Sequence, residues 1–144
     1  MNRFFLIFFM VASGIAACSQ KVNVKGRVVR ISGNQMPSPD LGSTEPKGFK
    51  TIVYFFEPFA ADNVNRVNGF YQGIASKELA RVNSNAEGFF KVNLLPGKYS
   101  VLIGKDSVNF YSNVLDGRGV VNLYEFKKRA QYNITLRADW DAAY

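Results

Sequence analysis

The chain has 144 residues, 47% of them hydrophobic and 20% charged, ordinary proportions that exclude a disordered chain, a collagen-like repeat and a polytopic membrane protein. Lys+Arg 18 against Asp+Glu 11 leaves a net charge of +7, spread along the sequence rather than concentrated. Histidine is absent, which removes Ser-His-Asp triads, Cys-His pairs and histidine-bound zinc.

Asn2 and Arg3 form a short positive region, Phe4 to Val11 is apolar throughout, and Ala12-Ser13-Gly14-Ile15-Ala16-Ala17 brings small residues up to Cys18. This layout predicts a secretory signal peptide over residues 1–17. The apolar stretch from Phe4 to Ala17 is 14 residues, short of the ~20 that a membrane-spanning helix needs. Ile15-Ala16-Ala17-Cys18 resembles the bacterial lipobox, in which an aliphatic and two small residues precede a cysteine that is lipidated and becomes the mature N-terminus. Cys18 is the only cysteine and so has no partner for a disulfide within the chain. The resemblance implies a lipidated Cys18 and a short tether over 18–21. Two or three acyl chains, at ~0.8 kcal/mol per buried methylene, anchor stably where one is marginal. Ser19, not an aspartate, is similar to an outer-membrane sorting signal, and Ser19-Gln20-Lys21-Val22 lacks the acidic run of some surface lipoproteins. The first feature points to the outer membrane, and the second favours its periplasmic face over the cell surface.

From Val22 onward the pattern is strand-like. Val22, Val24, Val28, Val29 and Ile31 around Gly26 predict a first strand ended by Ser32-Gly33-Asn34. The stretch from Gly33 to Gly48 holds Pro37, Pro39 and Pro46 among glycines and predicts a long loop. Ile52-Val53-Tyr54-Phe55-Phe56 is apolar on both alternating faces, the signature of a central strand. Ala60 to Gly73 is polar and reads as a connection with room for a helical turn. Lys77 to Asn83 and Phe89 to Leu95 are expected to pair as a hairpin across Ser84-Asn85-Ala86-Glu87-Gly88. Leu95-Pro96-Gly97-Lys98 turns into a strand over Tyr99 to Ile103, and Val108 to Val114, Gly119 to Phe126 and Ala130 to Leu136 predict three more. About seven or eight short strands separated by turn signals predict an all-β sandwich over residues 22–144.

The run Ala80-Arg81-Val82-Asn83-Ser84-Asn85-Ala86-Glu87-Gly88-Phe89-Phe90-Lys91-Val92-Asn93-Leu94-Leu95-Pro96-Gly97-Lys98-Tyr99, with Val24-Lys25-Gly26-Arg27-Val28-Val29 before it, resembles the carboxypeptidase regulatory-like domain. That family joins strands by an Asn-rich turn closed with Gly-Phe and by Leu-Pro-Gly-x-Tyr, and the resemblance implies a transthyretin-like (prealbumin-like) sandwich. The glycines supply turn conformations and the Phe and Tyr plug the core, so the motif specifies fold and no chemistry. The longer loop from Gly33 to Gly48 and the insertion from Ala60 to Gly73 depart from the family, and such departures are where function sits.

Chemical constellations are sparse. Asn83, Asn85, Glu87 and Gly88 mimic the opening of a calcium loop, but its twelfth position is Leu94, and Asn, Glu and Gly are ordinary turn residues. Glu57, Asp62, Glu78, Asp116 and Glu125 supply carboxylates for a glycosidase-type pair, yet no spacing singles one out. Lys127-Lys128-Arg129 beside Tyr124 and Phe126 is a solvated turn rather than a nucleic-acid platform, because the signal peptide directs the chain away from nucleic acid. Asp106-Ser107-Val108 is similar to a short bacterial O-glycosylation signal. Phe59, Phe70, Tyr71, Phe110, Tyr111, Tyr124 and Trp140 exceed what a small core obviously accommodates, and Tyr111, Tyr124 and Trp140 are the candidate ligand-contact aromatics.

These features predict a non-enzymatic lipoprotein with no catalytic, cofactor or metal site, held to the membrane by lipid on Cys18 and serving an envelope protein or glycan partner. A protein-interaction or structural module, which the unpaired edges of a sandwich suit, stands first. A glycan-binding module of a polysaccharide-uptake system and a small carboxylate-based hydrolase are the alternatives.

Overall fold

The computed structural model describes residues 20–36 and 45–143; the predicted signal peptide and Cys18 lie outside the described residues. Among the described residues eleven strands occur in chain order: β1 Val22–Asn34, β2 Lys47–Gly48, β3 Ile52–Phe56, β4 Asn65–Val67, β5 Phe70–Gln72, β6 Glu78–Asn83, β7 Phe89–Leu94, β8 Gly97–Gly104, β9 Phe110–Tyr111, β10 Leu123–Phe126 and β11 Tyr132–Ala143. They form a four-stranded sheet, in which β1 is flanked by β11 on one side and by β7 and β2 on the other, and a seven-stranded sheet in the order β4-β5-β9-β8-β3-β6 with β10 also on β8. The chain is an all-β sandwich. Its strand tally exceeds seven or eight because β2, β4, β5 and β9 are pieces of two or three residues.

The principal core lies between the sheets. Val24 and Val28 of β1, Phe90 and Leu94 of β7, and Ile134 and Leu136 of β11 meet Phe55 of β3, Tyr99 and Val101 of β8, and Phe126 of β10. Every described residue of this core falls between Val22 and Trp140. Tyr99 is fixed by donating its hydroxyl to the Leu95 carbonyl at 2.6 Å while its ring meets Phe55 edge-on. The motif Leu-Pro-Gly-x-Tyr therefore closes on itself.

A second core covers the outer face of the seven-stranded sheet. Tyr54, Phe56 and Leu102, alternating with the inward residues of β3 and β8, pack under Phe59, Tyr71 and Val121. This is why Ile52–Phe56 is apolar on both faces: β3 lies between β6 and β8 and is buried above and below. The connection from Ala60 to Gly73 supplies the cover. It contains the anticipated turn, a 3-10 segment at Ala61–Asn63, and then an antiparallel hairpin, β4–β5, across Asn68-Gly69. Asn68 and Gly69 have φ of 51° and 85°, the left-handed pair that two-residue hairpin turns favour.

The expected hairpin between Lys77–Asn83 and Phe89–Leu95 does not form. β6 pairs with β3 and β7 pairs with β1, so the segment between them crosses from one sheet to the other. Ser84 forces the corner. It is buried, its hydroxyl donates to the Phe49 carbonyl at 2.9 Å and accepts from the Thr51 amide at 2.8 Å, and its own amide donates to Thr51. Beyond it, the Val28 amide of β1 donates to the Gly88 carbonyl at 2.8 Å and draws the chain onto the other sheet. The strands expected over 108–114 and 119–126 are likewise shortened to β9 and β10. Their flanking amides are taken by side chains: Asp106 accepts from Val108 and Asn109, and Asp116 accepts from Arg118 and Val120.

β11 runs past the expected end at Leu136 to Ala143 and lies parallel to β1, with Val24 opposite Tyr132 and Asn34 opposite Ala143. Ile134, Leu136 and Ala138 face inward while Asn133, Thr135 and Arg137 are exposed. The alternation that sustains the strand is polar on its outer side and apolar on its inner side.

Candidate functional site

The structure brings two of the three candidate aromatics together and packs each of the three against another ring. Tyr111 is buried, with its ring 5.0 Å from Trp140 and 5.6 Å from Phe70. Trp140 also meets Phe70 at 5.6 Å and Phe49 at 6.1 Å, so these four rings close one end of the sandwich. Tyr124 stacks on Phe126 at 5.9 Å, and burial raises its phenol above the usual value, keeping it a neutral hydroxyl. Phe59 and Tyr71 belong to the second core and Phe110 packs against it. Of the surplus aromatics, a second core takes Phe59, Tyr71 and Phe110, while Tyr124 and Trp140 pack against the principal one.

Tyr111 and Tyr124 do share a cleft. It separates Thr135, Leu136 and Arg137 of β11 from the segment carrying Asn113 and Asn122. Its volume is about 70 Å³, below the 300–1,000 Å³ typical of small-molecule sites. At the far end of the cleft Asp139 ties the walls together, accepting hydrogen bonds from the Tyr111 hydroxyl and from Asn113 Nδ2. Along its outer side, β11 has no strand neighbour other than β1 among the described residues. A strand of twelve residues with one side unpaired offers a row of amides and carbonyls to an incoming extended segment.

The remaining motifs resolve into turns. Asn85 Oδ1 accepts from the amides of Glu87 and Phe89, so the calcium-like sequence builds the corner between the sheets. Among the described residues no three His, Cys, Asp or Glu side chains cluster in a way that would hold a metal ion. Glu78 is bound by Arg81 at 2.5 Å and 3.1 Å, and Asp116 by backbone amides. Lys127, Lys128 and Arg129 form the exposed turn between β10 and β11.

Asp106 heads its own turn. The side-chain amide of Asn109, followed by the backbone amides of Val108 and Asn109, holds its carboxyl below the usual aspartate value. A depressed folded-state pKa stabilises the turn fully above the ordinary aspartate range and loses that contribution as pH falls through the lower value. In a carbon-detected NMR titration Asp106 is expected to ionise below a free aspartate. On acidification the Val108 and Asn109 amides are expected to lose exchange protection, a loss that Asp106→Asn should abolish. Titration of Asp106 at or above the ordinary value contradicts this assignment.

Sequence reasoning passed over one residue of the surface. Phe89, placed by the Gly-Phe motif in the core, is 53% exposed, while its neighbour Phe90 fills the core at 5%. The period-two pattern over 89–94 carries the signal, since Phe90, Val92 and Leu94 are apolar where Phe89 shares its face with Lys91 and Asn93. Comparison with protein-family models, with curated proteins and with solved structures finds no match to this chain.

Proposed function

We propose that this chain is a non-enzymatic envelope lipoprotein, anchored through lipid on Cys18 at the periplasmic face of the outer membrane, whose sandwich acts as a protein-interaction module. The observation that carries the reading is β11, twelve residues long and paired on one side only among the described residues. Addition of an extended segment there satisfies backbone groups that water otherwise solvates, with the exposed side chains of Thr135 and Arg137 beside it. The lipobox-like tetrad before Cys18 and the resemblance to carboxypeptidase regulatory-like domains support the same reading. A tether of a few residues reaches at most ~3.5 Å per residue, which keeps the module close to the membrane and its partner within the envelope.

A photo-crosslinking amino acid at Thr135 is expected to trap an envelope protein in intact cells, and the same residue at Lys128, on the adjoining turn, is not. Cys18→Ala, which removes the anchor, is expected to release the chain from the membrane fraction and to abolish most of the adduct. Equal adducts from both positions, adducts from neither, or unchanged membrane retention of Cys18→Ala would contradict the reading.

A further inference from the structure

We infer that the outer face of the four-stranded sheet carries a binding site for a carboxylated saccharide, centred on Lys25, Lys91 and Phe89. In register, Lys25 of β1 lies opposite Lys91 of β7 and Asn133 of β11; the next outward row sets Arg27 against Phe89 and Thr135. Arg137 follows beside Val29. These rows hold four cations and no carboxylate. Ion pairs among the described residues involve Arg30, Arg81 and Arg118 and none of these four. The acids of the same sheet, Asp139 and Asp141, lie at the far end of β11, bound by Tyr111, Asn113 and Arg30.

Like charges placed directly opposite across antiparallel strands disfavour the sheet, and an anion bound between Lys25 and Lys91 would offset that repulsion. Beside it lies a depression of about 570 Å³, within the range of small-molecule sites. Lys25, Lys91, Phe89, Asn83, Asn85 and Asn133 line it. The Arg27 guanidinium, 5.1 Å from the ring centroid, holds Phe89 in place from one face.

Three kinds of group therefore converge: ammonium donors for a carboxylate, side-chain amides that donate to and accept from hydroxyls, and an aromatic surface for the C–H face of a sugar ring. A simple anion uses only the first and a neutral sugar only the last two, whereas a carboxylated sugar uses all three. A flat anionic lipid surface meets the lysines but does not fill a depression. The site centres on β1 and β7 and takes Asn133 from β11 on the face of the sheet, not along the outer edge of that strand, so it is tested separately from strand addition there.

The test is calorimetric titration of the full chain, in a neutral detergent, with hexagalacturonate, with its fully methyl-esterified form and with micelles doped with phosphatidylglycerol. Hexagalacturonate is expected to bind, and its methyl ester and the doped micelles are not. Lys25→Glu/Lys91→Glu is expected to raise Kd at least about tenfold, because two attractions become two repulsions, and Phe89→Ala is expected to weaken binding as well. Lys128→Glu is expected to leave it unchanged. Should the double reversal fail to fold, Lys25→Gln/Lys91→Gln removes the same two charges without repulsion and is expected to lose affinity in the same direction. Absence of binding, equal binding by the methyl ester, Kd unmoved in the lysine variants, or doped micelles binding as well as the sugar would overturn the inference.

Discussion

Gly88→Ala is expected to destabilise the protein by about 3–4 kcal/mol, from left-handed backbone strain and overpacking together. Gly88 has φ of +85°, and a Cβ there meets the Val28 carbonyl oxygen at 2.1 Å and the Gly48 Cα at 3.0 Å. Both obstacles are backbone atoms, so no rotamer change relieves them. The movement that makes room also breaks the 2.8 Å hydrogen bond from the Val28 amide to the Gly88 carbonyl, which carries the chain from one sheet to the other. Gly69 supplies the comparison. It has the same φ of +85°, and a Cβ there meets nothing within 4 Å, so Gly69→Ala bears the backbone strain alone, about 1 kcal/mol. Urea unfolding of the two variants separates the two contributions. Equal losses would mean that the corner at Gly88 is not pressed against β1.

Phe55→Ala is expected to cost about 3–5 kcal/mol, the range for truncating a buried phenylalanine. Phe55 is 0% exposed, sits mid-strand in β3, and faces the four-stranded sheet across the principal core. Phe89→Ala removes the same atoms from a side chain that is 53% exposed and, among the cations of the described residues, touches only the Arg27 guanidinium, and is expected to cost no more than about 1 kcal/mol. Thermal unfolding reads both, at a few degrees per kcal/mol for a domain of this size. Comparable losses from the two substitutions would place Phe89 in the core and remove it from the surface.

The all-β sandwich is legible in the sequence because its strongest signals are local. Ile52–Phe56, apolar on both faces, marks a strand covered above and below, and the Leu95–Tyr99 motif closes its own turn. The partner of each strand is less legible. Ser84-Asn85-Ala86-Glu87-Gly88 has the composition of a hairpin turn, yet the bonds of Ser84 to Phe49 and Thr51, more than thirty residues away in sequence, convert it into a crossing between sheets. Asn68-Gly69 is a strong two-residue hairpin signal that the polar surroundings of Ala60 to Gly73 conceal. That hairpin brings Tyr71 over the second face of the larger sheet, which is why aromatics such as Phe59 and Tyr71 look surplus when only one core is anticipated.

Of the candidate aromatics, Tyr111 and Trp140 meet in space, a contact that their distance in sequence does not reveal. The free edge of β11 is not readable in advance, because edge or interior position depends on which strands lie beside it and not on its own residues. The polar residues Arg137, Asp139 and Asp141 make its second half look like loop, and only pairing with β1 as far as Asn34 reveals it as strand. The cationic face is hidden for a related reason. Lys25 and Lys91 are far apart in sequence, and register alone sets them opposite each other.

Native-state hydrogen exchange along β11 tests the open edge most directly. Successive amides of a strand paired on one side point alternately toward the partner and away from it. From Asn133 to Arg137 the amides directed at β1 are expected to exchange slowly and those between them to exchange rapidly, as an edge awaiting a strand requires. Uniform protection across these residues would show the outer side of β11 already covered, and strand addition there would be contradicted.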